Sequence, residues 1–279
     1  MSDLLTRSSA HWSEAGRTGM DAFYHLATDD YRHLALSRDW VRLFENAQAL
    51  VGERSLRLLD VACGSGKFPN ALVDHAGLGS AEIAPIDTDL LDPSAFSISE
   101  ARAALPPPFR AAAEYETTLQ DFDVPPTGFD IVWATHALYA IPQTELASAM
   151  ANFLAAIGPD GQGIIAHSAQ AGHYITFHES YLDAVNVPGV QPYVSAEIIA
   201  ETLRDAGANV AVQVVTYDSV ADASATQAVE GYLQRCVFDD TISLSDMRET
   251  EPMAAYLSKC RNANGWTFGQ CVWLMTVTR

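Results

Sequence analysis

The sequence contains few charged residues and no long apolar run. Charged residues make up 18% of the 279 residues, against about a quarter in an average soluble protein. No stretch reaches the ~18 uncharged apolar residues that a membrane-spanning helix needs, and residues 1–12 carry no apolar signal-peptide core. These absences predict a cytoplasmic protein without a membrane partner.

Cysteine is also scarce, and its spacing does not indicate metal or redox chemistry. The four cysteines are Cys63, Cys236, Cys260 and Cys271, and no two of them form the C-x-x-C pair of a zinc or redox site. The sequence has no H-x-x-x-H pair either, which would suit a metal on one face of a helix. We therefore expect free thiols and no metal.

Basic residues are outnumbered by acidic ones, 16 to 35, which gives a formal net charge of −19. Such a surface repels phosphate backbones and anionic lipids, so nucleic acid is an unsuitable partner. The charge keeps the protein soluble, and it would attract a cationic ligand. We expect a small-molecule substrate and a monomer or homodimer.

Hydrophobic residues make up 48% of the chain and are grouped into short runs separated by amphipathic stretches. This alternation predicts an α/β fold with a doubly wound, mostly parallel, seven-stranded sheet. The last two strands lack a clear helical crossover, so we expect the last strand to be antiparallel. The predicted strands lie near residues 56–62, 88–92, 111–116, 131–134, 163–167, 209–217 and 267–278.

Two kinds of helical segment surround the predicted sheet. Residues 11–50 have amphipathic helical patterns, and we expect residues 1–50 to form a helical cap that belongs to the same domain. Residues 51–279 would form the ligand-binding domain, with helical insertions near 173–206 and 220–262.

The most informative motif is Asp60-Val61-Ala62-Cys63-Gly64-Ser65-Gly66, at the end of the first strand. Gly64 and Gly66 permit positive φ angles and close approach of a ligand to the backbone. Ligands of such sheets bind beyond the carboxyl ends of the strands. We therefore interpret residues 60–66 as a ligand-binding turn, although a tight turn without a ligand would have the same sequence.

Two phosphate-binding loops are excluded by the residues that follow this turn. A P-loop needs Ser or Thr after its Lys, but Phe68 follows Lys67. A dinucleotide loop needs a third glycine where Pro69 stands. The mismatch argues against a nicotinamide-dependent oxidoreductase.

A ribose needs a carboxylate at the end of the second strand to accept its hydroxyl protons. The candidates are Asp87, Asp89 and Asp92. We favour Asp92 because Pro93-Ser94 begins a helical pattern directly after it, although its distance from Gly64 (92 − 64 = 28) exceeds the usual ~20 residues. Asp87 is the second choice, and any of the three acids could be a solvated loop residue.

Polar and aromatic residues follow the later strands. Side chains of Thr117, Thr118 or Gln120 could bind an adenine amine, or their loop could be purely structural. Thr135 and His136 end the fourth strand, where they would face a reacting group. Aromatic residues near the fifth strand could line a pocket, or they could pack in the core; they are His173, Tyr174 and Phe177.

Together, the motif at 60–66, Asp92-Pro93-Ser94 and Phe129-Asp130-Ile131-Val132 resemble the class I methyltransferases that depend on S-adenosylmethionine (SAM). The likeness covers roughly residues 55–170. It implies a Rossmann-like methyltransferase fold, SAM as the cofactor, and contacts to SAM from the turn and from the residues after the second, third and fourth strands. The cofactor residues implied are Asp60, Ala62, Cys63, Gly64, Gly66, Asp92, Ser94, Thr117, Thr118, Gln120 and Thr135.

A narrower likeness is to histamine N-methyltransferase and its bacterial relatives. It rests on the late acid-Pro-Ser start of a helix, on Leu138-Tyr139, on Tyr193-Val194-Ser195 and on the long insert before the last strand. It implies a substrate pocket containing Tyr139, His173, Phe177 and Gln270, with His136 near the substrate and Asp29 or Asp30 holding it from the cap.

These observations predict a SAM-dependent methyltransferase of a small molecule, with an amine or imidazole nitrogen as the methyl acceptor and a role in natural-product biosynthesis. His136 or a cap acid, Asp29 or Asp30, would orient the nucleophile. Tyr24, Tyr139, Tyr174 and Phe177 would form an aromatic cage. The alternatives are methylation of oxygen or carbon, and a protein of the same fold that binds a ligand without methyl transfer.

Overall fold

A computed structural model of the chain describes residues 6–8, 10, 14, 17–185 and 191–279, without the side chains of residues 17–25. Its centre is one mixed sheet with the strand order β3-β2-β1-β4-β5-β8-β6, and β7 pairs with β8 beside this path. The strands are β1 (Leu56–Val61), β2 (Ile86–Leu91), β3 (Phe109–Tyr115), β4 (Phe129–Thr135), β5 (Ile157–Ser168), β6 (Asn209–Asp222), β7 (Arg261–Asn262) and β8 (Gly265–Thr278).

The first five strands pair in parallel, and β8 pairs antiparallel with both β5 and β6. The predicted doubly wound sheet and its antiparallel last strand are therefore confirmed. The structure adds β7, a two-residue strand that was not predicted because it is too short for a hydrophobic pattern. Strand β6 also continues to Asp222, past the predicted end at 217, because β8 pairs with it as far as Gly265.

Helices pack on both faces of the sheet. They are α1 (Arg17–Leu36), α2 (Trp40–Val51), α3 (Lys67–His75), α4 (Ala95–Ala104), α5 (Gln143–Ala156), α6 (His173–Val185), α7 (Ala196–Asp205), α8 (Thr226–Val237), α9 (Leu244–Glu249) and α10 (Met253–Cys260). Within the described ranges, no helix is both long enough and apolar enough to cross a membrane.

Strand β4 shows how the sequence builds two apolar layers. Successive side chains of a strand point to opposite faces of the sheet. Ile131 and Trp133 pack with α2 and α3 on one face, whereas Val132 packs with α5 and α7 on the other. All three side chains are fully buried, so β4 reads as a continuous apolar run, which is typical of a central parallel strand.

A third apolar cluster lies outside these two layers. It joins α1, α6, α8, α9 and α10 to the start of β8, through Leu26 on α1, Phe177 on α6, Leu233 on α8 and Phe268 on β8. Helices α1 and α8 are in direct contact. We call α1, α6 and α8 the cap helices, because the cavities described below lie between them and the carboxyl ends of the strands.

Candidate active site

A cleft of about 910 Å³ opens at the carboxyl ends of β1, β2 and β4. Strands β2 and β4 lie on opposite sides of β1, so the strand order reverses here, where ligands of open α/β sheets bind. We call it the cofactor cleft. Its wall consists of Ser8, Tyr31, Val61, Ala62, Leu91, Asp92, Pro93, Ser94, Thr118, Leu119, Gln120, Thr135, His136, Ala137, Leu138, Ala140 and Ile141.

The turn after β1 has three left-handed residues: Ala62 with φ +50°, Gly64 with φ +52° and Gly66 with φ +69°. Ala62 lines the cleft although a left-handed alanine costs roughly 1–2 kcal/mol. Gly66 caps α3, and a Cβ there would lie 3.2 Å from Cα of Ala101. Gly64 and Gly66 are not among the residues of the cleft wall, and their contact with the cofactor stays a prediction.

Asp92 is the acid that the structure brings to the cleft. Its Oδ2 accepts a hydrogen bond from the Gly64 amide (3.1 Å), and its Oδ1 accepts one from the Ser94 amide (2.9 Å). Burial raises the pKa of Asp92 to about 6, and these two amides partly offset that rise. The carboxylate is thus mostly ionised at neutral pH, and each oxygen retains lone-pair capacity for a ligand hydroxyl.

The two other ribose candidates lie away from the cleft wall. Asp87 forms an ion pair with Arg110 (2.5 Å) on the half-exposed side of the sheet. Asp89 accepts hydrogen bonds from the Ala113 amide and from the Tyr115 hydroxyl, both at 3.2 Å. Their side chains are already engaged with β3, which leaves Asp92 as the acid facing the cleft.

Asp60 and Cys63 are buried behind the turn and do not line the cleft either. Burial raises the pKa of Asp60 to about 7, with a further rise from the nearby Asp92 charge. The Cys63 amide donates to the Leu91 carbonyl (3.1 Å), and burial raises the pKa of its thiol. Direct side-chain contact with a ligand in the cleft is therefore not available to these two residues as placed.

The loop after β3 supplies the opposite end of the cleft. Thr118, Leu119 and Gln120 line it, and Thr117 does not. The Thr118 hydroxyl donates to Asp121 (2.7 Å), and the Gln120 amide nitrogen donates to Glu145 (2.8 Å). These bonds fix the two polar side chains before any ligand binds, and Leu119 adds an apolar surface on which a flat ring could lie.

A second cavity, of about 610 Å³, lies between the cofactor cleft and the cap helices. We call it the acceptor cavity. It shares wall residues with the cleft, among them Tyr31, His136 and Ala137, so molecules in the two spaces would face each other. Its wall consists of Ser8, Ala27, Asp30, Tyr31, His136, Ala137, Tyr139, Ala140, Tyr174, Tyr193, Arg235, Cys236 and Phe238.

Of the two cap acids predicted for catalysis, the structure brings only Asp30 into this cavity. The Asp30 side chain is 2% exposed, and the Tyr174 hydroxyl donates to its Oδ2 (2.5 Å). Burial raises the pKa of Asp30 to about 7, more than the neighbouring hydroxyls lower it. Asp29 is turned to the surface, where it pairs with Arg32 (3.2 Å) and His33 (3.1 Å), because successive helix positions differ by about 100°.

His136 lies on the wall that the two spaces share. Its backbone is left-handed (φ +53°), and its amide donates to the Ala166 carbonyl of β5 (2.8 Å). The ring Nδ1 lies 2.8 Å from the Tyr139 hydroxyl, whereas Nε2 has no hydrogen-bond partner among the described residues. Burial lowers the pKa of His136 to about 4, so the ring is neutral at physiological pH.

Tyr139 and Tyr174 line the acceptor cavity, with ring centroids 5.8 Å apart. The predicted pocket residues His173 and Phe177 do not line it. Their rings stack on each other at 5.6 Å, and Phe177 belongs to the third apolar cluster. Their role as substrate contacts, which the family resemblance implied, stays a prediction.

Two further predicted substrate residues need comment. Gln270 is buried outside the cavity, where its amide donates to the hydroxyls of Ser219 and Tyr232, both at 3.1 Å. Gln270 does not line the acceptor cavity, and its contact with a substrate stays a prediction. Tyr24 belongs to α1, but its side chain lies outside the described residues.

Several residues of the acceptor cavity were missed from the sequence. Tyr31 could have been found, because Ala27, Asp30 and Tyr31 have the i, i+3, i+4 spacing of one helix face. Arg235 and Cys236 come from α8, more than 90 residues after β4, and no sequence pattern links them to the site. Among the described residues, no group of three or more His, Cys, Asp and Glu side chains is placed to hold a metal ion.

Residues 30–213 match a family model described as a methyltransferase domain. A Bacillus halodurans C-125 protein described as a candidate methyltransferase has a similar structure, with a TM-score of 0.54, 13% identity, and coverage of 84% of this chain and 97% of its own. Magnesium protoporphyrin IX methyltransferase from Synechocystis PCC 6803, solved with bound S-adenosylhomocysteine, has a TM-score of 0.53, 13% identity, and coverage of 99% and 100%. No curated protein matches the chain significantly in sequence.

Proposed function

The chain belongs to the methyltransferase domain family and is a SAM-dependent methyltransferase, and we propose that it methylates a nitrogen of a small amine or imidazole held in the acceptor cavity. The observation that carries this proposal is Asp30. It is a buried acid in a cavity of tyrosine side chains, and that cavity shares a wall with the cofactor cleft.

The cofactor cleft suits an adenosyl group. The Asp92 carboxylate offers two oxygens to ribose hydroxyls, and the loop at 118–120 offers Leu119 beside polar side chains of Thr118 and Gln120. Ala62 would present its backbone to the amino-acid part. When bound, SAM supplies an electrophilic methyl group, and the protein's task is to align a nucleophile with it.

The acceptor cavity suits a basic nitrogen. An amine attacks only as the neutral base, so its proton must leave before the methyl transfer. Asp30, with a pKa raised to about 7, can accept that proton near neutral pH and then stabilise the cationic product. Aromatic faces of Tyr31, Tyr139 and Tyr174 add attraction for a positive charge.

The proposal is tested by pairing Asp30→Asn with Asp29→Asn. The two acids are adjacent on α1, but only Asp30 lines the acceptor cavity. With purified protein, SAM and a panel of small amines, imidazoles, phenols and carboxylic acids, mass spectrometry should show N-methylated products. Asp30→Asn should lower kcat by about 100-fold or more, the usual worth of a general base, while Asp29→Asn stays within about twofold and both variants bind S-adenosylhomocysteine normally.

Two results contradict the proposal. Full activity of Asp30→Asn would show that Asp30 does not accept the proton of the substrate. If phenols or carbon atoms are methylated and no nitrogen compound is, the protein is an O- or C-methyltransferase, and the assignment of SAM as the cofactor is unchanged.

A further inference from the structure

The hydroxyl of Tyr139 lies between two nitrogen atoms. The backbone amide of Ser168, at the end of β5, donates to this hydroxyl oxygen over 3.2 Å. The Nδ1 atom of His136 lies 2.8 Å from the same oxygen. Since an amide N–H can only donate, the Ser168 contact occupies a lone pair of the oxygen and leaves its hydrogen for another partner.

The neighbours of this hydroxyl indicate the tautomer of His136. Within the described ranges they are Nδ1 of His136 at 2.8 Å, the Ser168 amide at 3.2 Å and the Ser168 side chain, and we assign the tyrosine hydrogen to Nδ1. The Ser168 side chain uses its own hydrogen toward the Ala169 carbonyl (3.3 Å). A neutral imidazole that accepts at Nδ1 carries its hydrogen at Nε2, and the low pKa of His136 keeps the ring neutral.

Within the part of the chain that the structure describes, the Nε2 atom of His136 has no hydrogen-bond partner. The backbone that carries the ring is left-handed at His136, and its amide donates a hydrogen bond to the Ala166 carbonyl. The ring packs edge-on against Tyr31 at 6.1 Å and beside Tyr174 at 5.8 Å, on the wall common to both spaces. A buried donor without an acceptor costs about 1–3 kcal/mol, and a ligand that supplies an acceptor recovers it.

We propose that Tyr139 is a positioning residue that holds His136 as an Nε2–H donor, and that the methyl acceptor carries an oxygen or unprotonated nitrogen to receive this hydrogen bond. This inference rests on the proposed function and narrows its substrate class. Asp30 and His136 both line the acceptor cavity. Asp30 provides a carboxylate, and His136 provides a hydrogen-bond donor. The preferred substrate is therefore a small amine with a second, hydrogen-bond-accepting atom.

The hydrogen bond from Tyr139 to His136 also assigns different chemical roles to His136 and Asp30. With its hydrogen at Nε2, His136 presents no lone pair to the substrate, so it orients the molecule and does not accept the amine proton. Asp30 is left as the proton acceptor.

The tautomer can be measured without turnover. In protein labelled with ¹⁵N-histidine and saturated with S-adenosylhomocysteine, long-range ¹H–¹⁵N NMR at pH 7 should show His136 protonated at Nε2 only, assigned by its loss in His136→Gln. Tyr139→Phe should produce the Nδ1–H form or a mixture. Tyr193→Phe is the matched control: this cavity tyrosine donates to the Cys236 carbonyl (2.9 Å), so its loss should leave the tautomer unchanged.

Kinetics supply the second readout, with an amine that carries an acceptor atom and its analogue that lacks it. The wild type should favour the first compound by at least about tenfold in kcat/KM, which corresponds to one hydrogen bond. His136→Gln retains a donor and should keep part of this preference, whereas His136→Leu should abolish it.

The outcomes separate the two levels of the proposal. An Nδ1–H or doubly protonated His136 in the wild type, or an unchanged tautomer in Tyr139→Phe, overturns this inference even if amines are methylated. Equal use of both compounds by the wild type overturns it as well. The expected tautomer without methylation of any amine would instead refute the proposed function.

Discussion

The cofactor cleft and the acceptor cavity share a wall but are built differently. The cleft lies at strand ends and is formed by Ala62 of the left-handed turn, by Asp92, which two backbone amides hold, and by the loop after β3. The acceptor cavity is formed by side chains from helices far apart in the chain, such as Asp30, Tyr174 and Arg235. The strand ends can thus bind the same methyl donor, while changes in the cap helices alter which methyl acceptor fits.

The first test of this comparison removes Asp92, the one acid among the described residues that line the cleft. Asp92→Ala eliminates a carboxylate that would accept two ribose hydroxyls, and hydrogen bonds to a charged group contribute roughly 1.5–3 kcal/mol each. Calorimetry should show the affinity for S-adenosylhomocysteine falling by about 100-fold or more. Asp87→Ala, which loses only its surface pair with Arg110, should bind almost as the wild type does. Equal losses in both variants would contradict the assignment.

The second test concerns the acceptor side and the stability of the fold. Because the pKa of Asp30 is raised from 3.8 to about 7, the folded state binds more protons than the unfolded state between these values. Stability from this group is therefore lost as pH rises toward 7. Asp30→Asn removes the ionisation, so relative to the wild type it should gain about 3 kcal/mol of unfolding free energy between pH 5 and pH 8.

Denaturant titrations at the two pH values measure this gain directly. Asp29→Asn, on the surface of the same helix, should show no comparable change. A flat difference between Asp30→Asn and the wild type would mean that Asp30 is not held in a desolvated site.

The third test has the smallest expected effect and concerns the backbone of the cleft. Gly66→Ala places a Cβ at φ +69° and 3.2 Å from Cα of Ala101, so strain and crowding together should cost about 2–3 kcal/mol. Gly52→Ala has a similar φ of +71° but no atom within 4 Å of the new Cβ, and it should cost only about 1 kcal/mol. Thermal unfolding of both variants measures how much stability the crowding at Gly66 costs beyond the backbone strain. Equal losses of stability in the two variants would show that the contact with Ala101 contributes nothing.

The difference between the cofactor cleft and the acceptor cavity also explains which features could be predicted from the sequence. The sheet, its antiparallel last strand and the placement of Asp92 follow from local signals: apolar runs, a glycine turn, and Pro93-Ser94 at a helix start. The Ser94 hydroxyl indeed accepts from the Ser97 amide as an N-cap (3.2 Å). Such signals lie within a few residues of the structure that they specify.

The acceptor cavity depends on how helices rotate against one another, which no local pattern specifies. His173 and Tyr174 are adjacent in sequence, yet only Tyr174 lines the cavity, whereas the His173 ring packs against Phe177 and Phe268. Arg235 enters from an insertion whose docking is set by apolar contacts with α1. Asp29 and Asp30 could not be separated until the rotation of α1 was known.

Asp30 and Tyr31 are consecutive residues of α1, and they contact different spaces: Asp30 lines the acceptor cavity, and Tyr31 lines both. A displacement of this one helix large enough to let either molecule leave would also disturb the grip on the other. We therefore expect release of the two molecules to be coupled through the position of α1.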